Sequence, residues 1–247
     1  MAGGVGDEHW GAWLREGLEA EGVATDCLAT VIDIDTPLGI VLFDELGEPS
    51  FQIYGEHISD TMLACRPLLG PAIDQAGAVV VGSNTMVGEV EREVTRHAVE
   101  IAHENGIPVL FDPNHRPNRW KVEDRAREFC LELAGGSALI KCNRGEAALM
   151  TGESEALDAA RILAASGPRL AVVTDGAGPV VTAGAAEEVF TPEDCAVTSP
   201  LGAGDAFMGA LAAGLALRSW DFRRIAEVLP EATAAGSAAC GHWRAQA

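Results

Sequence analysis

From residue 78 onward the chain repeats one unit: a short, wholly apolar run, then a stretch with apolar residues at helical spacing. The runs are AVVVG (78–82), IPVLFD (107–112), SALIK (137–141) and RLAVVT (169–174). Runs this short and this apolar read as strands covered on both faces. Between the first two, Glu91 to Asn105 places Val94, Ala98, Ile101 and Ala102 on one helical face and stops at Gly106. Residues 121–134 and about 154–166 also read as helices, with Gly167 closing the second and a further helix opening at Asn143. Strand, helix and strand joined by such short links give parallel βαβ units and a covered sheet. Gly/Pro-rich hairpins follow to about residue 190, then helices over 204–217 and most of 221–240.

The first quarter departs from this rhythm. Asp7 to Glu21 reads as a helix ended by Gly22, and GIVLFDELGEPSFQIY (39–54) as a hairpin about a Glu-Leu-Gly-Glu turn. A hairpin set between βα units serves as a lid or an oligomer contact, so a homodimer through it is expected. With no repeat, low-complexity tract or linker, the expectation is one α/β domain over 1–247 with a lid at about 38–55.

Composition limits the partners. Thirty-seven acidic residues against 17 basic leave a formal charge of −20, which repels nucleic acid and anionic membrane alike. A polyphosphate ligand would need local donors, a helix N-terminus and a divalent cation to offset that field. No apolar run is long enough to cross a bilayer, and MAGGVGDEHW carries neither a basic region nor an apolar stretch. Cysteines 27, 65, 130, 142, 195 and 240 form no CxxC pair. They read as small buried hydrophobes in a reducing, cytoplasmic setting.

Four segments carry chemistry. In SPLGAGDAFMGALAAGL (199–215), Gly202-Ala203-Gly204 leads into a helix near Asp205. Unpaired N–H groups at a helix start bind anions, and an aspartate beside them can take a proton from an attacking hydroxyl. A Gly-rich turn with an Asp N-cap accounts for the same residues. Asn143-Arg144-Gly145-Glu146 follows a strand; as Asn-x-x-Glu it is a capping box, yet at a strand's carboxyl end Glu146 could hold a hydrated Mg²⁺ and Asn143 could reach phosphates. Asp112-Pro113-Asn114-His115-Arg116 sets acceptors and a cationic fork on a rigid turn, or simply forms an Asx turn. Thr174-Asp175-Gly176 lets a flat ligand approach the backbone, or makes a turn. All four fall at carboxyl ends of strands, on one edge of one sheet.

Together these segments resemble the ribokinase-like (PfkB) carbohydrate kinases. Residues 199–215 are similar to the family's C-terminal signature, NRGE (143–146) to its Asn-x-x-Glu motif and VVTDG (172–176) to its nucleotide segment. VGDEHWGAWLREGLEAEGV (5–23) resembles a family helix region, and FDPNHRPNRW (111–120) is especially like 2-keto-3-deoxygluconate kinases. The resemblance implies a three-layer ribokinase-like sandwich with a mostly parallel sheet and a hairpin lid. It implies ATP-dependent phosphorylation of a small sugar or sugar acid, 2-keto-3-deoxygluconate first and fructose second.

By similarity Asp205 would be the general base, and Gly202, Ala203 and Gly204 the anion hole. Asn143, Thr174, Gly176 and Thr233 would meet the nucleotide, Glu146 the Mg²⁺, and Asn114, Arg116 and Tyr54 the substrate. Departures accompany the match. Ser199 stands where the signature has an aspartate that often helps hold a monovalent cation, and Pro200-Leu201 replaces the threonine pair. Tyr54-Gly55-Glu56 lacks the arginine of sugar-acid kinase lids, Thr233 replaces an asparagine, and the chain stops early, at GHWRAQA. The family's opening strand and its Gly-Gly-x-x-x-Asn sugar segment have no counterpart before Val5-Gly6-Asp7. That favours an internal or misassigned Met1, or a degraded copy. The rival function is a family member that binds nucleotide or a protein partner without sugar turnover. A dinucleotide oxidoreductase is disfavoured because no GxGxxG follows a first strand.

Overall fold

The computed structural model describes residues 1–43, 49–120 and 122–241. The hairpin turn expected at 45–48 and most of GHWRAQA lie outside the described residues. Ten strands and nine α-helices are described. In the first part of the chain they are β1 (Ala2–Gly6), α1 (His9–Ala20), β2 (Cys27–Val31), β3 (Leu38–Phe43), β4 (Pro49–Tyr54), α2 (Ile58–Cys65) and α3 (Leu69–Ile73). The βα series is β5 (Val79–Gly82), α4 (Glu89–Glu104), β6 (Val109–Asp112), α5 (Glu123–Gly135), β7 (Leu139–Asn143), α6 (Arg144–Thr151), α7 (Ala156–Ala165) and β8 (Leu170–Thr174). It closes with β9 (Val180–Gly184), β10 (Val189–Phe190), α8 (Ala203–Ala216) and α9 (Leu229–Cys240). Within the stretch 221–240, most of which was expected to be helical, a 3₁₀ segment, Phe222–Glu227, precedes α9, and Pro230 opens the first turn of α9.

The main sheet has the order β10-β9-β8-β7-β6-β5. Strands β5 to β8 are parallel, and β9 and β10 return antiparallel. Alternation along the strands sorts the core into two layers. Leu110, Leu139, Leu170 and Val172 face α8 and α9, whereas Phe111, Ile140, Cys142 and Val173 face α5 to α7. This is the expected three-layer sandwich. One expectation fails: β5 is not covered on both faces. It is the edge strand of this sheet, and Val80 is 55% exposed. Burial of all six thiols also fails, since Cys27 and Cys240 are half-buried and Cys195 is exposed.

The N-terminal strand was not apparent from AGGVG, whose glycines have low strand propensity. Their role is close approach. A Cβ on Gly4 would lie 2.7 Å from the Thr61 carbonyl oxygen, and one on Gly11 would lie 2.1 Å from that of Gly6. Backbone therefore packs directly on backbone where α1 and α2 meet β1, which pairs in parallel with β2. Gly11→Ala is expected to cost about 1–3 kcal/mol or more through overpacking, read as a lower urea midpoint.

The hairpin β3–β4 forms its own two-stranded sheet, paired from Leu38 opposite Tyr54 to Phe43 opposite Pro49. Leu38, Ile40, Leu42 and Tyr54 share one face, and all four are exposed. Phe51, on the other face, meets the loop after β6.

Candidate active site

Three of the four chemistry-bearing segments end strands of the main sheet; the fourth, Gly202–Asp205, follows the loop after β10 and opens α8 instead of ending a strand. Gly82 lies opposite Asp112, and Asn143 opposite Thr174, with β7 and β8 running two residues beyond β5 and β6. Helix α8 starts at the same edge. Its N-cap is Gly202, in the left-handed region at φ 82°, where a side chain would be strained. No side chain caps this helix, so Asp205 is not an N-cap; it sits in the first turn, exposed. Among the described residues the N–H groups of Gly202, Gly204 and Asp205 have no hydrogen-bond partner, whereas that of Ala203 donates to the Pro200 carbonyl at 3.3 Å. Three open donors on the positive end of a 14-residue helix form a candidate anion cradle.

The turn into this cradle is set by Ser199, which is buried. Its N–H donates to the Cys240 carbonyl at 3.1 Å, and its Oγ accepts from the Leu201 N–H at 3.2 Å. A hydroxyl already engaged with backbone thus stands where the resemblance expects a cation-binding carboxylate. The turn therefore lacks the anionic ligand that the resemblance assigns to a monovalent cation.

Asn114 is brought to Asp205. It holds φ 42°, unusual for a non-glycine residue, and its Nδ2 donates to Asp205 Oδ1 at 3.4 Å. Asn84 Nδ2 in turn donates to the Asn114 carbonyl at 3.2 Å. The Asn114 amide therefore orients the aspartate. Behind it, Asp112 and Lys141 form a buried ion pair, Nζ to Oδ2 at 2.9 Å. Burial pushes the Asp112 carboxyl above its usual range; Lys141 opposes that, and the negative charge of Asp205 adds to it.

Glu146 completes a capping box. Its Oε2 accepts from the Asn143 N–H at 2.9 Å, while Asn143 Oδ1 accepts from the Glu146 N–H at 2.9 Å. The other oxygen reaches across to the 113–116 loop and accepts from the His115 N–H at 2.7 Å. Burial raises the Glu146 carboxyl, against these two backbone donors. The capping and the ligand-edge readings of NRGE thus describe the same residue. Among the described residues no three His, Cys, Asp or Glu side chains cluster as metal ligands. With both oxygens already accepting, Glu146 suits a hydrated Mg²⁺ arriving on a nucleotide, not a dedicated metal site.

Arg116 and Asn118 tie the β3–β4 hairpin to the sheet edge. The Arg116 guanidinium carbon sits 4.2 Å from the centre of the Phe51 ring, and Asn118 Nδ2 donates to the Phe51 carbonyl. Such a cation–π contact contributes about 0.5–2 kcal/mol. Arg116→Ala should therefore loosen β4, with faster amide exchange over Phe51–Tyr54 as the readout. Two expected site residues are not gathered in. Tyr54 is exposed on the hairpin face away from Phe51, and Thr233 is buried with its hydroxyl donating to the Leu229 carbonyl at 2.7 Å. Thr174 and Gly176 stay at the edge, with Gly176 at φ 55° in the turn after β8. Sequence reasoning passed over Lys141. Its signal is rarity: the chain has only two lysines against 15 arginines, and one of them sits in the middle of a buried strand.

The profile of the pfkB family carbohydrate kinases matches residues 1–247. A fructokinase of Vibrio alginolyticus is 27% identical over 214 residues, which are 86% of this chain and 69% of that protein. An aminoimidazole riboside kinase of Salmonella typhimurium is 28% identical over 239 residues, 96% of this chain and 74% of that one. The solved structure of a Xylella fastidiosa fructokinase with bound ATP superposes with a TM-score of 0.83 at 25% identity, covering 99% of this chain and 79% of that one. A particular likeness to 2-keto-3-deoxygluconate kinases finds no support in these relatives.

Proposed function

Because this chain belongs to the pfkB family of carbohydrate kinases, we propose that it transfers the γ-phosphoryl group of Mg-ATP to a hydroxyl of a small sugar, with Asp205 as general base. The observation that carries this reading is the juxtaposition of three open N–H groups, at Gly202, Gly204 and Asp205, with the Asp205 carboxylate. In the step, Asp205 accepts the hydroxyl proton, the sugar oxygen forms its bond to phosphorus, and the bond from phosphorus to the β–γ bridging oxygen breaks. The open N–H groups hold the oxygens on which charge gathers, and no covalent intermediate with the protein forms. Glu146 and Asn143 would hold a Mg²⁺ brought by the nucleotide through its bound waters, and the ion would supply charge to offset that of the phosphates. Thr174 and Gly176 would line the nucleotide, and Asn114 and Arg116, with the hairpin as a lid, the sugar; Thr233, its hydroxyl held by the Leu229 carbonyl, is left out.

The fructokinase relatives favour a fructose-like hexose as acceptor over a sugar acid. The exposed apolar face of the hairpin supports a homodimer through the lid, which light scattering would read as a doubled mass that falls on Ile40→Glu. The direct test follows ATP consumption with Mg²⁺ over fructose, aminoimidazole riboside and 2-keto-3-deoxygluconate, with calorimetry of Mg-ATP followed by sugar. Sugar-dependent turnover is expected, fructose leading. Nucleotide binding with no heat and no turnover for any sugar would replace this reading with the non-catalytic one.

A further inference from the structure

Lysine is almost absent from this chain, and the single described lysine is 5% exposed. Burying an ammonium group is costly unless it is paired, and arginine serves nearly every other cationic position. The placement of Lys141 is specific. Along β7, Leu139 and Lys141 face α8; along β6, Leu110 and Asp112 do the same, by the period of two. Deep in the sheet that face is apolar. At the carboxyl ends it becomes a lysine and an aspartate, directly beneath the start of α8.

The ammonium reaches the cradle itself. A Cβ built on Gly204 would lie 2.9 Å from Lys141 Nζ, so the nitrogen rests against the bare Cα of the cradle's central glycine. An ammonium has three N–H donors. One goes to Asp112 Oδ2, and among the described residues the other two have no partner. A buried cation with donors to spare, resting against Gly204, whose N–H is one of three open backbone donors, is arranged for an anion. In a protein of net charge −20 no long-range field would draw that anion in, so the attraction must be local.

We infer that Lys141 is a catalytic residue, its ammonium donating to an oxygen of the transferred phosphoryl group while Asp112 holds it in place. The inference rests on Gly202–Asp205 being the phosphoryl cradle. Lys141 gives up no proton in the step: the sugar proton goes to Asp205, and the lysine binds the charge on the phosphoryl oxygens more strongly as it develops.

The test compares two affinities in the parent chain, Lys141→Met, and the double variant Lys141→Met/Asp112→Asn. One is for Mg-ADP, the other for Mg-ADP with aluminium fluoride, a mimic of the phosphoryl group in flight. The parent is expected to bind the mimic more tightly than Mg-ADP. Both variants should lose at least tenfold of that preference while holding Mg-ADP within about threefold, a split that a merely structural pair would not produce. The double variant removes both charges, so it leaves no lone buried carboxylate even where Lys141→Met fails to fold. Variants that keep the parent's preference overturn the role of Lys141 and leave the cradle standing. A double variant that does not fold assigns the pair to the fold alone and also overturns it. A parent with no preference for the mimic overturns the cradle reading and this inference together.

Discussion

Asp205→Asn is expected to lower kcat for Mg-ATP-dependent sugar phosphorylation by about 10²- to 10⁴-fold, the range that a general base contributes. Thermal unfolding and Mg-ADP affinity should be those of the parent. The separation follows from how little the fold asks of this side chain. Asp205 is exposed, caps no helix, and has one side-chain hydrogen bond, accepted from Asn114 at 3.4 Å. Asparagine has nearly the same shape and keeps an oxygen for Asn114, but it cannot take up a proton. The cradle N–H groups belong to the backbone and survive the substitution, so ground-state binding should persist while transfer stops. An Asp205→Asn protein that turns over as fast as the parent would remove this residue from the base role.

The fold was legible where hydrophobic period alone decides structure. AVVVG, IPVLFD and RLAVVT each contain a strand of the main sheet, SALIK holds the first three residues of one that runs on to Asn143, and the helices between them stop close to Gly106 and Gly167. Exposure was not legible, because apolar content does not reveal which strand lies at an edge, and so Val80 came out in solvent. The opening strand was hidden for a different reason: Gly4 and Gly6 are there for backbone approach, which no propensity scale records. Within the site, motif spacing located Asn143, Glu146 and the Gly202–Asp205 turn. It could not show that the N–H of Ala203 bends back to Pro200, leaving Asp205's own N–H as the third open donor. Nor could it show that the Asn114 amide addresses Asp205 instead of standing free. The Lys141–Asp112 pair spans 29 residues of sequence and exists only once β6 and β7 lie side by side.

Glu146→Ala should destabilise the fold strongly. The two Glu146 oxygens serve N–H groups on different elements: Asn143 at the start of α6 and His115 in the loop after β6. Alanine strands both. At about 1–3 kcal/mol for each part-buried donor left unpaired, the loss is about 2–6 kcal/mol, a large share of the ~5–15 kcal/mol that stabilises a domain. Urea unfolding would measure it, and a variant within about 0.5 kcal/mol of the parent would contradict the bridging role. Glutamine, with one amide oxygen, should fall between. It also exposes the sign of the pH dependence. Burial holds the folded Glu146 carboxyl above its ordinary value of 4.5, so between the two values the folded state binds more protons than the unfolded one. Stability contributed by this group therefore declines as pH rises from 4.5 through the folded value. Asp112, likewise raised by burial, adds a slope of the same sign. Glu146→Gln removes the Glu146 part, so its deficit against the parent should shrink as pH rises through that window. A deficit that grows instead would mean that the two backbone donors outweigh burial, and that the folded protein holds Glu146 as a carboxylate more firmly than water does.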